Sequence, residues 1–478
     1  MNETSTVQAL ITLENSGAEA LFEKAPRSEA YLWPLARWPI ASALASAQLS
    51  VTPHLRLEQG IGALGYLKLI AREVLPSPRS SDRLRGPIEH LFMMSGVTRT
   101  SMPRGAGNWL SDAFADALGD RAAVIQEAEF DLVTPRSDRP ANPRTWTRSP
   151  AATRVGRAAK ADPLDTAEQE RVLRFLNEIY SCLGDLLPED QHDEIASEVL
   201  TRAARQRFAD AEFISLLDRV RPQRIYMEDA SYGHYSGSIR IARERGIEVA
   251  ELQHGWIGAS HAAYNYGRAW FDSPLTTSLP DTLLTFGDYW GQKLRHPGRI
   301  IPVGKPHLER AARAAIPYLE RPHRLLVVSS VYERERLVAA AVLLRRLLPD
   351  DWEIAIRPHP TERTDAEALF ADALVHGVSI DRERDVNASV ASSKAVVGLV
   401  STVLFEALPL GVHIGVIESA LASFYADAAV FPRRLDDEAS FIRLAQSLTS
   451  GEIPNADAAR AIWQPESVAT FLRECASD

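Results

Sequence analysis

The run Ile354-Ala355-Ile356-Arg357-Pro358-His359-Pro360 limits the fold more than any other feature of the chain. An apolar β-type stretch stops abruptly at an arginine, a histidine and two prolines, and Thr361 and Glu362 open the next segment. The pattern returns at Ala395-Val396-Val397-Gly398-Leu399-Val400, which runs into Ser401-Thr402 and the helical Val403-Leu404-Phe405-Glu406-Ala407-Leu408. Short unbroken apolar runs of this kind suit strands buried on both faces of a parallel sheet. Both strands deliver polar groups to the carboxyl edge of the sheet, where open α/β sheets bind ligands.

The same alternation predicts the rest of the architecture. A strand over 88–97, a helix over 109–118 and a strand over 122–125 make a βαβ unit. Long helices are expected over 166–187 and 191–219. Strands come next at 224–227, 247–252, 283–287 and 300–306, with a helix over 236–245 stopped by Gly246. The pattern restarts at Arg324-Leu325-Leu326-Val327-Val328, the first strand of a second doubly wound domain. A chain of 478 residues exceeds one ordinary core. The expected division is therefore α/β throughout: an N-terminal Rossmann-like domain over 1–310 and a C-terminal one over 311–478. A terminal helix over 458–475 is expected to cross back to the first domain. Residues 134–163, with Pro135, Pro140, Pro143, Pro150 and Pro163 among arginines, serines and threonines, are expected to form an exposed basic loop. The aromatics Tyr31, Trp33 and Trp38 read as helix-packing residues.

Charge and cysteine usage narrow the function. A net charge of −10 argues against a general nucleic-acid binder, although a basic loop can still touch a membrane surface. Cys182 and Cys475 are far apart and form no metal or redox motif, so a reducing cytoplasm is the expected home. The start, Met1-Asn2-Glu3-Thr4, is not a secretory leader, and no run of about twenty apolar residues is present to span a bilayer. The expected location is cytoplasmic, including the inner face of the membrane. HExxH, CxxC, the P-loop and a strand-following GxGxxG are absent, which moves ATPases and NAD enzymes down and leaves no metal site expected.

The candidate residues sit at strand ends. His359, held between Pro358 and Pro360, is placed to hydrogen-bond a departing phosphate, and Arg357 offers a guanidinium fork unless a salt bridge takes it. Ser401 and Thr402 open a helix and suit either a cap or an anion. Glu406 suits the hydroxyls of a ribose or the start of the helix dipole. In the first half, His254 follows a strand and precedes Gly255, and Glu228-Asp229 ends another strand as a carboxylate pair for general-base work. Together these residues predict a nucleotide-activated donor.

With Glu251-Leu252-Gln253-His254-Gly255, Leu279-Pro280-Asp281 followed by Leu284-Thr285-Phe286-Gly287-Asp288-Tyr289-Trp290, Val303-Gly304-Lys305-Pro306, His359-Pro360, and Ser401-Thr402 before Phe405-Glu406-Ala407-Leu408, the chain resembles the GT-B superfamily of glycosyltransferases. More narrowly, it resembles the bacterial capsule-polysaccharide, sialyltransferase-like and CDP-glycerol glycerophosphotransferase-like group. The resemblance covers residues 220–435 well and the first 200 loosely. It implies a GT-B fold with a central cleft and an inverting transfer that uses no catalytic metal and no cofactor beyond the nucleotide sugar. It further implies that His359, Pro360, Ser401, Thr402 and Gly304 border the donor. A CMP-activated nonulosonic acid is the favoured donor, and the acceptor is a glycan, lipid or protein hydroxyl. The family's acidic pair is followed by glycine, whereas Glu228-Asp229 is followed by Ala230, so which carboxylate is the base stays open. A CDP-glycerol-type transferase, a non-hydrolysing sugar-nucleotide 2-epimerase and an inactive scaffold are the alternatives. The oligomeric state is not legible.

Overall fold

The computed structural model describes residues 5–49, 79–95, 98–102, 105–126, 142–147, 149–455 and 457–476. Two all-parallel sheets organise it. The first sheet uses β1 (His90–Met94), β4 (Ala122–Gln126), β5 (Thr145–Thr147), β6 (Arg224–Met227), β7 (Glu248–Leu252), β8 (Thr282–Thr285) and β9 (Arg299–Pro302). Their spatial order is β5-β4-β1-β6-β7-β8-β9, so the winding reverses between β1 and β6. A small antiparallel hairpin, β2 (Arg99–Met102) with β3 (Gly105–Asn108), follows β1 and is a feature the alternation did not predict.

The second sheet uses β10 (Arg324–Val328), β11 (Glu353–Arg357), β12 (Ser379–Ile380), β13 (Ala395–Gly398), β14 (His413–Ile417) and β15 (Arg434–Leu435). It runs in the order β12-β11-β10-β13-β14-β15 and reverses between β10 and β13. In the described connections, helices or single helical turns cross between successive parallel strands, as parallel pairing demands. The molecule is thus a pair of Rossmann-like doubly wound domains meeting at a cleft.

One apolar cluster runs through both domains, joining Phe92, Tyr226 and Trp290 of the first to Val328, Phe405 and Val416 of the second. The C-terminal segment ties them together. It forms two helices, Asp457–Ile462 and Ser467–Cys475, where the sequence predicts one, because Pro465 has no N–H to continue the first. The Trp463 indole donates to the Phe405 carbonyl at 3.0 Å. Phe471 stacks on Phe114 with ring centroids 4.3 Å apart, in the first domain.

The expected basic loop over 134–163 is corrected in its described part. Residues 145–147 are the edge strand β5, and Ser149–Ala161 is a helix against the long helix His192–Val220. The alanines and Val155 between the arginines supply a packing stripe that outweighs the prolines. Arg144 pairs with Asp116 and Asp120, and Arg154 with Asp82 and Glu212, so neither is a free cation for a membrane. Residues 134–141 and Arg148 lie outside the described residues. Among the described residues no helix is long and apolar enough to cross a membrane.

Candidate active site

At the winding reversal of the second sheet, a cavity of about 450 Å³ opens toward the first domain. Val328 and Ser329 at the end of β10 and Val400, Ser401 and Thr402 after β13 form one side. Arg357, Pro358, His359 and Pro360 after β11 form another, and Trp109, Lys305 and His307 arrive from the first half of the chain. The strand-end residues expected to meet do meet, because β11, β10 and β13 are neighbours in parallel register.

His359 is oriented by a reciprocal cap. Its backbone N–H donates to Glu362 Oε2 at 3.0 Å, and its Nδ1 lies 2.8 Å from the Thr361 hydroxyl and accepts from the Thr361 N–H. Because a backbone N–H can only donate, Nδ1 is the acceptor and Nε2 carries the ring proton. Burial lowers the affinity of this histidine for a second proton, so it is a neutral donor at pH 7. Behind it, Arg334 holds the other oxygen of the buried Glu362 at 2.9 Å. Ser401 caps the short helix Thr402–Ala407 by accepting from the Val403 N–H, which leaves its own hydroxyl proton available.

Three expectations change. Arg357 lines the cavity but is a buried pair with Asp381, and its remaining N–H groups donate to the carbonyls of Glu383 and Arg384. It holds the loop after β12 in place instead of offering a free fork. Glu406 is buried against Lys305, whose Nζ is 2.7 Å away and 4.2 Å above the Trp109 ring. That cross-domain pair takes one carboxylate oxygen, so a ribose has only the other to meet. Gly304 does not face the cavity. Its φ of +84° turns the chain at the close of β9, and a Cβ there would strike Ser467 Oγ at 2.3 Å. The residue that reaches the cavity is its neighbour Lys305.

Sequence reasoning missed the cations that matter most. Arg363 and Arg384 both line the cavity, and neither guanidinium has an ion-pair partner among the described residues. No periodicity singles out either; the only hint is that Arg363 falls within the turn that His359 caps. With Lys305 and Arg357 they outnumber the two lining carboxylates, Asp385 and Glu406, in a chain whose net charge is −10.

The first domain presents carboxylates at its own reversal point. Glu228 follows β6, is 1% exposed, and accepts from the Ser95 N–H at 3.0 Å and the Thr98 hydroxyl at 2.9 Å, bridging to the end of β1. Burial, with help from the nearby Asp229, raises its pKa to about 8. Asp229 stands in the left-handed region at φ +59°, and its Oδ1 lies 3.1 Å from His254 Nε2, bringing the ends of β6 and β7 together. A non-glycine residue held there carries a conformational cost that the surroundings must sustain. His254 Nδ1 is buried without a partner among the described residues, while the side chain as a whole is 20% exposed beside Asp229. Glu251, inside β7, accepts from Ser231 and from the Tyr264 hydroxyl at 2.8 Å, and burial lifts its pKa to about 8 as well. Among the described residues no group of three or more His, Cys, Asp or Glu side chains is placed to hold a metal ion.

The two raised carboxyls make a stability prediction. Each holds its proton to about pH 8 in the fold but loses it near 4.5 when unfolded, so the folded state binds more protons across that window. Stability is therefore full below the unfolded pKa and is lost as pH rises through about 8. Thermal midpoints should fall by several degrees across that interval, and Glu251→Gln should remove about half of the fall. A midpoint that rises across it would show that both groups are ionised in the fold.

No family model matches the chain, and no curated protein matches it. Among solved structures it is similar to UDP-GlcNAc 2-epimerase from Neisseria meningitidis bound to UDP-GlcNAc, at 12% identity over 80% of this chain and 100% of that one, with a TM-score of 0.43. UDP-GlcNAc 2-epimerase from Methanocaldococcus jannaschii aligns at 11% identity over 80% and 98%, TM-score 0.46. MurG from Acinetobacter baumannii aligns at 11% over 80% and 98%, TM-score 0.41. At these values the likeness carries no statement about chemistry.

Proposed function

We propose that this chain is an inverting glycosyltransferase that needs no metal, moving a sugar from a nucleotide-activated donor to an acceptor hydroxyl. The observation that carries the reading is the single cavity that gathers His359, Ser401 and Thr402 with two guanidiniums lacking carboxylate partners. Cations left unpaired at a sheet's reversal point call for an anionic ligand.

In the proposed step Asp229, oriented by His254, takes the proton of the acceptor hydroxyl. The acceptor oxygen bonds to the anomeric carbon as the bond from that carbon to the phosphate oxygen breaks. The released electron pair stays on the phosphate, where the His359 Nε2–H, the Ser401 hydroxyl and the guanidiniums of Arg363 and Arg384 meet its charge. Attack on the face opposite the leaving group inverts the sugar. Glu228 and Glu251 are deeply buried and hold their protons to about pH 8, which leaves Asp229 as the base; they brace the strand ends that carry Asp229 and His254.

Two donor classes supply two anionic centres for two guanidiniums. A CMP-nonulosonic acid brings a phosphodiester and a sugar carboxylate, and a nucleoside-diphosphate sugar brings two phosphates. Calorimetric titration with CMP, CDP, UDP, GDP and dTDP separates them. Selective binding of CMP favours the first class and of a diphosphate the second. His359→Ala should weaken the preferred nucleotide about 10- to 100-fold, the cost of a lost hydrogen bond to a charged group. Failure of every nucleotide to bind the wild-type chain would remove the donor reading. Conversion of a bound sugar nucleotide with no acceptor present would replace the transferase with an epimerase.

A further inference from the structure

We propose that a second cavity, between the N-terminal helices and the second domain, is the subsite for a neutral sugar ring of the acceptor. This inference rests on the transferase reading and names the acceptor's chemistry. The cavity measures about 290 Å³, at the small end of ligand pockets, which run to roughly 300–1,000 Å³. That volume suits a ring rather than a long chain.

Its walls are aromatic and come from both domains: Trp38 and Trp256 from the first, Tyr332, Phe424 and Tyr425 from the second. Phe424 is 42% exposed, a large ring left open to a partner. The hydroxyl residues Ser5, Thr6, Ser42, Ser46 and Ser260 line the cavity as well. Among the described residues, no acidic, lysine or arginine side chain lines the cavity. Its one titratable base, His261, is kept neutral, its pKa pushed down to about 3 by burial and by the nearby His254 and Arg37.

This lining selects one chemistry. A phosphate or carboxylate would lose its water with no cation to replace it. An alkyl chain would strip water from serine hydroxyls without repairing their hydrogen bonds. A pyranose meets both demands: its C–H face lies against the negative face of an aromatic ring, and its rim hydroxyls pair with serines.

The position fits the reaction. The back of the cavity is His261, whose Nε2 is 3.2 Å from the Tyr232 hydroxyl. The Tyr232 ring lies 5.8 Å from that of His254, the residue that orients Asp229. Two rings, Tyr232 and His254, therefore stand between the back of the cavity and the proposed base. The Trp256 indole donates to the Tyr425 carbonyl at 3.2 Å, so the walls are already joined across the cleft.

The test titrates the full chain with the methyl glycosides of glucose, galactose, mannose and N-acetylglucosamine, and separately with N-acetylneuraminic acid and hexanol. Tryptophan fluorescence and ligand-observed NMR report binding. Ser42→Trp fills the cavity from an exposed helical position, and Phe424→Ala removes an exposed wall, so neither disturbs the core. The expected result is saturable binding of at least one neutral glycoside, weakened about tenfold or more in both variants, with nucleotide affinity unchanged. Binding of none of the four glycosides, equal binding in both variants, or preference for N-acetylneuraminic acid or hexanol would overturn the proposal. Glycoside binding lost in Ser42→Trp supports the subsite even where no nucleotide binds, a result that would condemn only the donor reading. Nucleotide binding without any glycoside binding would condemn only the subsite.

Discussion

Asp229→Asn should lower turnover about 10²- to 10⁴-fold while leaving nucleotide affinity unchanged, the range that a positioned general base contributes. The substitution keeps the shape and the acceptor oxygen that meets His254 Nε2, so the strand ends stay in register. What it removes is the ability to take a proton. The charge of Asp229 also raises the pKa values of Glu228 and Glu251, so its loss relieves repulsion among three neighbouring carboxyls. The variant should therefore melt no lower than the wild type at pH 8. Nucleotide release from the bound sugar donor, measured with acceptor present, gives the rate; calorimetry gives the affinity. Retention of more than about a tenth of wild-type turnover would exclude Asp229 as the base.

The largest effect on stability is expected far from the cleft. Glu14 is 1% exposed and accepts from Trp270 Nε1 at 2.7 Å, Arg37 Nε at 2.6 Å, Trp33 Nε1 at 3.1 Å and the Gly267 N–H. Arg37, itself buried, spends its other N–H groups on the carbonyls of Ala262 and Asn265 and lies 4.4 Å from the centre of the Tyr266 ring. One carboxylate thus fastens the helices Thr6–Asn15 and Leu32–Leu49 to the loop that follows His261. Glu14→Ala leaves a buried guanidinium uncompensated and two indoles and an amide without an acceptor, which should cost about 3–5 kcal/mol. The thermal midpoint should drop by roughly 3–5 °C. Glu14→Gln keeps an acceptor oxygen and should lose about half as much. A midpoint for Glu14→Ala within about 2 °C of wild type would show that the network contributes little net stability.

Both outcomes bear on how much of the protein can be read from its residues. The second domain is the more legible half. Its strands are continuous apolar runs, because both faces of a parallel sheet are covered, and each run ends in residues that cannot continue it: Arg357-Pro358-His359-Pro360 and Ser401-Thr402. A strand end is a fixed address at the sheet edge, so these residues can be assigned to one cleft without knowledge of their contacts. The pairings of Lys305 with Glu406 and of Arg357 with Asp381 are not legible, since ion pairs between distant segments leave no local pattern. The same blindness assigns Gly304 to the ligand when Lys305 beside it reaches the cavity. It also makes a loop of residues 145–161, because prolines and arginines mask a packing stripe that acts only against a partner helix.

The N-terminal region marks the limit. Trp33 and Trp38 read alike as packing aromatics, yet Trp33 is buried on Glu14 while Trp38 lines the aromatic cavity. Local chemistry determined which segments are strands and helices, where each strand must stop, and which polar groups gather at the sheet edges, because these properties come from backbone geometry and the burial of neighbouring side chains. Only the tertiary structure decided which of the gathered charges are neutralised and which remain open to a ligand. That choice depends on which distant carboxylate arrives within a few ångströms of each cation, and chain order carries no record of it.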